Sequence, residues 1–172
     1  MTKIEKVIVF RFLSYIKFIF TATNQHGVHS PFVYDYVTKC LYNKEKLKLP
    51  ITSKVLVKSL DYFNFKTAHI LGDNKMLEAA IKKFCANVTS TEINADVLVG
   101  SISDLKNDDI AISSLSNDTM VLLDDIHKDQ ISLESWNRLK KESQVRVTLD
   151  LFYCGIIFFR KEQAEEHFKI RI

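Results

Sequence analysis

The sequence predicts an α/β protein: a mostly parallel sheet wound with helices, closed by an antiparallel strand pair and preceded by a helical segment. Three stretches carry that expectation. From Thr67 to Phe84 a short apolar run ends at Gly72, and Met76, Leu77, Ala80, Ile81 and Phe84 follow at helical spacing, which reads as strand, tight turn, helix. Thr119-Met-Val-Leu-Leu123 is a continuous apolar run of the kind found at a sheet centre, and it leads straight into Asp124-Asp125-Ile126-His127. Val145 to Leu151 and Tyr153 to Arg160 are two strand-like runs with almost nothing between them, and so short a connection forces antiparallel pairing.

The 172 residues, 47% of them apolar, suit one compact body in which residues 1–63 form a helical cap and residues 64–172 an α/β core. A formal charge of +3, from 24 basic and 21 acidic residues, is too small and too mixed to argue for nucleic acid. The three cysteines, Cys40, Cys85 and Cys154, are far apart and odd in number. They form neither a disulfide framework nor a C-x-x-C pattern, which suits a reducing, cytoplasmic setting. Lys3 and Lys6 precede an apolar stretch, but Arg11 and Lys17 interrupt it and no small-residue cleavage site follows. Neither a signal peptide nor a membrane span is expected.

In chain order, residues 4–21 predict a helix on which Lys3, Lys6, Arg11, Ser14, Lys17 and Thr21 share one stripe of roughly 140°. The remainder, with Phe10, Phe12, Phe18 and Phe20, calls for cover by the chain's own core, by a second copy in a dimer, or by a membrane surface. Asn24 to Ser30 is a polar loop. Ser30 suits an N-cap and Pro31 the first position of a helix reaching about Asn43. His26 and His29 lack a third nearby ligand, so they point to a loop that hydrogen-bonds the entry to the helix or reaches into a substrate pocket rather than to a metal. After a charged turn over 44–50, Thr52 or Ser53 is positioned to cap a helix ending near Phe63.

Beyond the strand-turn-helix unit, Val88 to Glu92 and Asp96 to Val99 read as strands separated by three residues. A hairpin, one bent edge segment, or an α/β repeat with a piece missing would each account for that spacing, and the third is preferred. Residues 102–116 look loosely helical, and a helix over about Ser132 to Glu142 places Leu133, Trp136 and Leu139 on one face. Taken together the pattern is a Rossmann-like, doubly wound arrangement.

The stretches Asn24-Gln-His-Gly-Val-His-Ser-Pro-Phe-Val33, Val121-Leu-Leu-Asp-Asp-Ile-His127, Val147 to Gln163 and Glu166-His-Phe-Lys-Ile-Arg171 resemble the class I S-adenosylmethionine-dependent methyltransferase-like proteins of Bacteroidota. The resemblance implies a cofactor cradle at Gly72 and Asp73, with Glu92 in the ribose-binding slot. Gly100 stands in a further cofactor slot where the family carries an acidic residue. It also implies that one helix and one strand of the family are missing before Asp96, which makes this a shortened member. Asp124, Asp125 and His127 fall just past the carboxyl end of a central strand, where open α/β sheets place ligands. Read functionally, the aspartates hold a substrate hydroxyl or a divalent metal and His127 takes a proton; read structurally, and with equal weight, Asp124 and Asp125 satisfy backbone N–H groups of the following turn. Without an acid at Gly100 a metal is not expected. Two functions follow: a small-molecule O-methyltransferase using S-adenosylmethionine, or a methyltransferase-shaped interaction protein that has lost its cofactor pocket.

Overall fold

In the computed structural model, which describes residues 2–44, 46–108 and 110–172, the chain opens with α1, Lys3–Thr21. A reciprocal cap starts it: Thr2 Oγ1 accepts from the Glu5 N–H (3.2 Å) while the Glu5 carboxylate accepts from the Thr2 N–H (2.8 Å). A 3₁₀ turn, Gln25–Gly27, leads to α2, Pro31–Asp35, capped by the Ser30 hydroxyl on the Val33 N–H (3.4 Å) as the Ser-Pro pair predicts. From Tyr36 to Leu41 the helix widens to a π-turn, burying Tyr36, Val37, Cys40 and Leu41. The next helix, α3, is Ile51–Tyr62, and its N-cap is Pro50 rather than Thr52 or Ser53. Both hydroxyl residues therefore lie inside the first turn, where Thr52 is free to reach another element.

The core is one seven-stranded sheet: β1 Thr67–Ile70, β2 Thr89–Ser90, β3 Val97–Ser101, β4 Met120–Asp124, β5 Val147–Asp150, β6 Cys154–Phe158 and β7 Glu166–Lys169. The spatial order is β2-β1-β3-β4-β6-β5-β7. β2, β1, β3 and β4 run parallel, β6 runs antiparallel to both β4 and β5, and β7 is parallel to β5. The predicted α/β class and the predicted antiparallel closure are both present. The intervening helices are α4 Lys75–Phe84, α5 Asp104–Asn107 and α6 Gln130–Leu139, with a 3₁₀ turn at Ile112–Ser114. Residues 102–116 thus form two short helical pieces rather than one loose helix.

β1 sits between β2 and β3, so the two pieces flanking Ile93 to Ala95 are not a hairpin. Residues 91–96 carry the chain past β1 without a helix. Asp96 pins that passage: its Oδ2 accepts from the N–H groups of Lys66 (2.7 Å) and Thr67 (2.9 Å) and from the Thr67 hydroxyl (2.9 Å). Partial burial pushes the Asp96 carboxyl up, but these donors and the Lys66 charge outweigh it and hold it below the ordinary aspartate range.

The sheet separates two apolar clusters, as a doubly wound arrangement requires. One face carries Val97, Val99, Leu122, Leu149 and Phe158 beneath α2, α3 and α4. The other carries Leu98, Val121, Leu123 and Ile157 against Leu105 and Trp136. β7 was not predicted, although Phe168 and Ile170 alternate with polar neighbours in the way a half-buried strand should. Its outer edge is closed by Thr23, which bridges to Ile170 and bonds Lys169 and Arg171, so this end of the sheet does not stand open.

Candidate functional site

The carboxyl end of β4 and the turn after it carry Asp124, Asp125 and His127, and residues from distant segments complete the cluster. β4 ends at Asp124 in register with Ser101 of β3. The Asp124 Oδ1 accepts from the Thr52 hydroxyl (2.8 Å) and from the Asp125 N–H (2.8 Å). Burial pushes the Asp124 carboxyl above its usual range and the neighbouring Asp125 charge adds to this, against the pull of the Thr52 and Asp125 donors and of Arg11. Asp125 turns the chain with φ of +58°, a left-handed conformation that aspartate tolerates better than most residues. Its carboxylate faces the Arg11 guanidinium at 3.5 Å.

His127 is 6% exposed and is held at both ring nitrogens. Nε2 lies 2.8 Å from Asp150 Oδ2 and 3.1 Å from Oδ1, while Nδ1 lies 2.7 Å from the Ser14 hydroxyl. With its proton on Nε2, the ring donates to Asp150 and accepts from Ser14, leaving no ring nitrogen without a partner. Asp150 is 4% exposed and also accepts the Phe152 N–H at 2.9 Å. Phe152 has φ of +68°, an unusual value for a bulky residue, and stacks on His127 with ring centroids 4.9 Å apart. Phe18 and Tyr15 of α1 also pack on Phe152, at 5.5 and 4.8 Å, and Phe18 meets the His127 ring edge-on at 6.1 Å.

A Ser-His-Asp chain of hydrogen bonds also occurs in nucleophilic hydrolases, but two parts of that machinery are missing here. Ser14 sits in mid-helix, where the backbone N–H groups around it belong to the helical ladder and are not available to stabilise an oxyanion. The imidazole, moreover, is buried beneath Phe18 and Phe152. The same contacts serve to hold α1 onto the body.

The predicted cofactor residues lie beside this cluster in a different condition. Gly72 has φ of +63°, which glycine alone adopts without strain, so the tight turn is real. Its N–H donates to Asp108 Oδ2 at 3.3 Å, and a Cβ added to it would meet the Asp104 carboxylate carbon at 3.2 Å. Asp104 is fixed in turn by the Ser101 N–H (3.1 Å). Gly100 is buried, and a Cβ there would stand 2.5 Å from the Leu71 Cβ. Close passage of β3 against the exit of β1 is what requires a glycine at that position. Asp73 and Glu92 are exposed, and no hydrogen bond or ion pair among the described residues holds either carboxylate. His26 and His29 are exposed on their loop; the His26 ring lies 3.2 Å from the Gln25 side chain and the His26 backbone N–H donates to Asn24 Oδ1 (3.1 Å), and among the described residues no hydrogen bond joins either histidine to His127, Asp124 or Asp125.

Two adjoining clefts, of about 550 and 570 Å³, share Cys85, Ala86 and Val88 along α4 and the edge strand β2, and neither is lined by any residue of the His127 cluster or by Gly72. Among the described residues no group of three or more histidine, cysteine or acidic side chains is arranged to hold a metal ion.

Residue-type reasoning reached Asp124, Asp125 and His127 but missed Arg11, Ser14, Thr52, Asp104, Asp108 and Asp150. The signals that could have found some of them were a polar stripe on an otherwise apolar helix, and an acid inside the run Val147 to Leu151 that has to find a partner once buried. Compared with protein-family models, with curated proteins and with solved structures, the chain matches none.

Proposed function

We propose that this chain is a methyltransferase-like interaction protein that has lost its cofactor pocket. The observation that supports the reading best is the condition of Gly72: its N–H is spent on Asp108 and its open side is faced by Asp104. A glycine turn binds a ligand by offering bare backbone to it, and here carboxylates of the same chain stand in that place. Gly100 supports the same reading, because Leu71 fills the space beyond it. On this reading S-adenosylmethionine has no cradle, and the polar groups that follow β4 are engaged with one another, with Thr52 and with α1.

The test is isothermal calorimetry with S-adenosylmethionine and with S-adenosylhomocysteine. The expected result is no heat at millimolar ligand, and saturable heat overturns the proposal.

One observation favours a second reading, an O-methyltransferase with His127 as base. The Ser14 hydroxyl occupies the position at Nδ1 that an acceptor hydroxyl would take, with Asp150 orienting the ring from behind. On that reading α1 would have to lift to admit the acceptor, and saturable cofactor binding that Glu92→Ala weakens would select it.

A further inference from the structure

The edge of the polar stripe of α1 that carries Arg11 and Ser14 faces the body, while Lys6, Lys17 and Thr21 of the same stripe are exposed. Arg11 reaches Asp125, Ser14 reaches His127, and Phe18 and Ala22 are the two residues between Lys3 and Thr23 that are buried against the core. The opposite side is left in solvent: Ile8, Phe12, Leu13 and Phe20 are 62, 61, 59 and 85% exposed, and Val9, Ile16 and Ile19 lie among them. Placed at 100° per residue, these side chains cover an arc of roughly 140° along a helix about 28 Å long. From Ile8 to Phe20 that arc carries apolar side chains alone, and an apolar surface of that extent marks a docking face.

The charges beside it identify the occupant. Lys6 and Lys17 are exposed and follow Leu13 around the helix on the same flank. Lys169 joins that flank at the carboxyl end of α1, its Nζ donating to Thr21 Oγ1 at 3.1 Å. Glu5 is the acid within the arc, at its amino-terminal end, and its carboxylate is engaged in the cap with Thr2. In an antiparallel pairing of two α1 helices across their apolar sides, two-fold symmetry sets Lys6 of one copy opposite Lys17 of the other on one rim, which disfavours a second copy. The same row of lysines beside an aromatic and aliphatic face suits a negatively charged lipid surface. No helix of the described residues is long and apolar enough to cross a membrane, so the contact would be one of lying flat on it.

We propose that the outward face of α1 docks on anionic phospholipid bilayers, with Phe12 and Phe20 entering the acyl boundary and Lys6, Lys17 and Lys169 at the headgroups. The contacts of Arg11 and Ser14 then have a purpose, since they fix the rotation of the helix on the body and keep Phe12 and Phe20 outward. The inference deepens the reading of the chain as an interaction protein by naming what it contacts.

The experiment is co-sedimentation of the full chain with phosphatidylcholine vesicles, with and without phosphatidylserine, alongside analytical ultracentrifugation without lipid. The expected result is binding that depends on phosphatidylserine and weakens as salt is raised. Phe12→Asp and Phe20→Asp, both at exposed positions and checked for folding by circular dichroism, should each reduce it by roughly tenfold or more. Lys6→Glu with Lys17→Glu should abolish the preference for phosphatidylserine. Absence of binding to either vesicle overturns the proposal, as does a dimer in the centrifuge that Phe12→Asp dissociates, which would assign the face to a second copy. Neither result bears on the cofactor pocket, which calorimetry tests separately.

Discussion

The Ser14 hydroxyl lies 2.7 Å from Nδ1 of His127, 113 residues further along the chain, and this contact fixes which side of α1 faces the protein. Phe18, Tyr15 and Arg11 reinforce it through Phe152 and Asp125, two non-glycine residues with positive φ. Backbone in such conformations costs on the order of 1–3 kcal/mol per residue and persists where the surroundings over-determine it. Both examples lie directly under α1.

Removing the Ser14 hydroxyl tests the contact. Ser14→Ala is expected to lower stability by about 1 kcal/mol, the usual net value of one hydrogen bond. A double-mutant cycle with His127→Ala, read by urea denaturation, should return a coupling energy of similar size. Additive effects would mean that the two side chains do not interact in solution.

Asp150 is expected to matter more than Ser14. It is buried and serves His127 and the Phe152 N–H together, so Asp150→Ala leaves two buried donors without acceptors, at a cost of roughly 2–4 kcal/mol. The Arg11–Asp125 pair is 42 and 37% exposed at its side chains, and breaking it with Arg11→Ala should cost well under about 1 kcal/mol. Urea midpoints of the two variants give the comparison, and equal losses would contradict it.

Gly100→Ala is expected to destabilise by about 1–3 kcal/mol, because the added methyl would lie 2.5 Å from the Leu71 Cβ and two strands would have to part. If Gly100 instead faced an open ligand slot, alanine would be tolerated and the melting temperature would not change.

Two aspartates should give opposite pH trends. The raised Asp124 carboxyl retains a proton in the folded state that the unfolded chain has already released. Its contribution is present below the ordinary aspartate range and is lost as pH rises through the raised value. Asp124→Asn keeps an oxygen where Oδ1 accepts from Thr52 and Asp125, so its stability relative to the parent should improve from acid toward neutral pH. The lowered Asp96 carboxyl contributes above the ordinary range and loses that contribution as pH falls through the lowered value. Asp96→Asn should therefore be the less stable protein at neutral pH, with a deficit that shrinks in acid. Thermal melts across the acid range check both signs.

Lys58 is 8% exposed, and its ammonium donates to the carbonyls of Leu41 (3.0 Å) and Asn43 (2.6 Å), closing the end of the π-turn. Lys58→Met retains the apolar stem and removes the donor. It should cost roughly 1–3 kcal/mol by leaving these carbonyls without their partner, and an unchanged denaturation midpoint would show that water replaces it.

The sequence by itself determined the elements that depend on near neighbours. Met76, Leu77, Ala80 and Ile81 specify α4 by their spacing, Val121 to Leu123 specify a buried strand, and the short link at Phe152 compels β5 and β6 to run in opposite directions. Asp124, Asp125 and His127 were legible as a cluster because they are consecutive or nearly so and follow a central strand. Tertiary structure alone decided who faces them. Nothing in the spacing of residues 4–21 says that Arg11 and Ser14 turn inward beside Phe18 while Phe12 and Phe20 face out; amphipathic patterning implies burial of the apolar arc, and the outcome depends on Asp125, His127 and Phe152 being present to receive Arg11, Ser14 and Phe18. The fate of Gly72 was likewise invisible, because Asp104 and Asp108 reach it from another segment. Periodicity is a property of a few residues along one chain segment, whereas a hydrogen-bond partner is chosen by proximity after folding, and proximity between distant segments leaves no repeating trace in the order of residues.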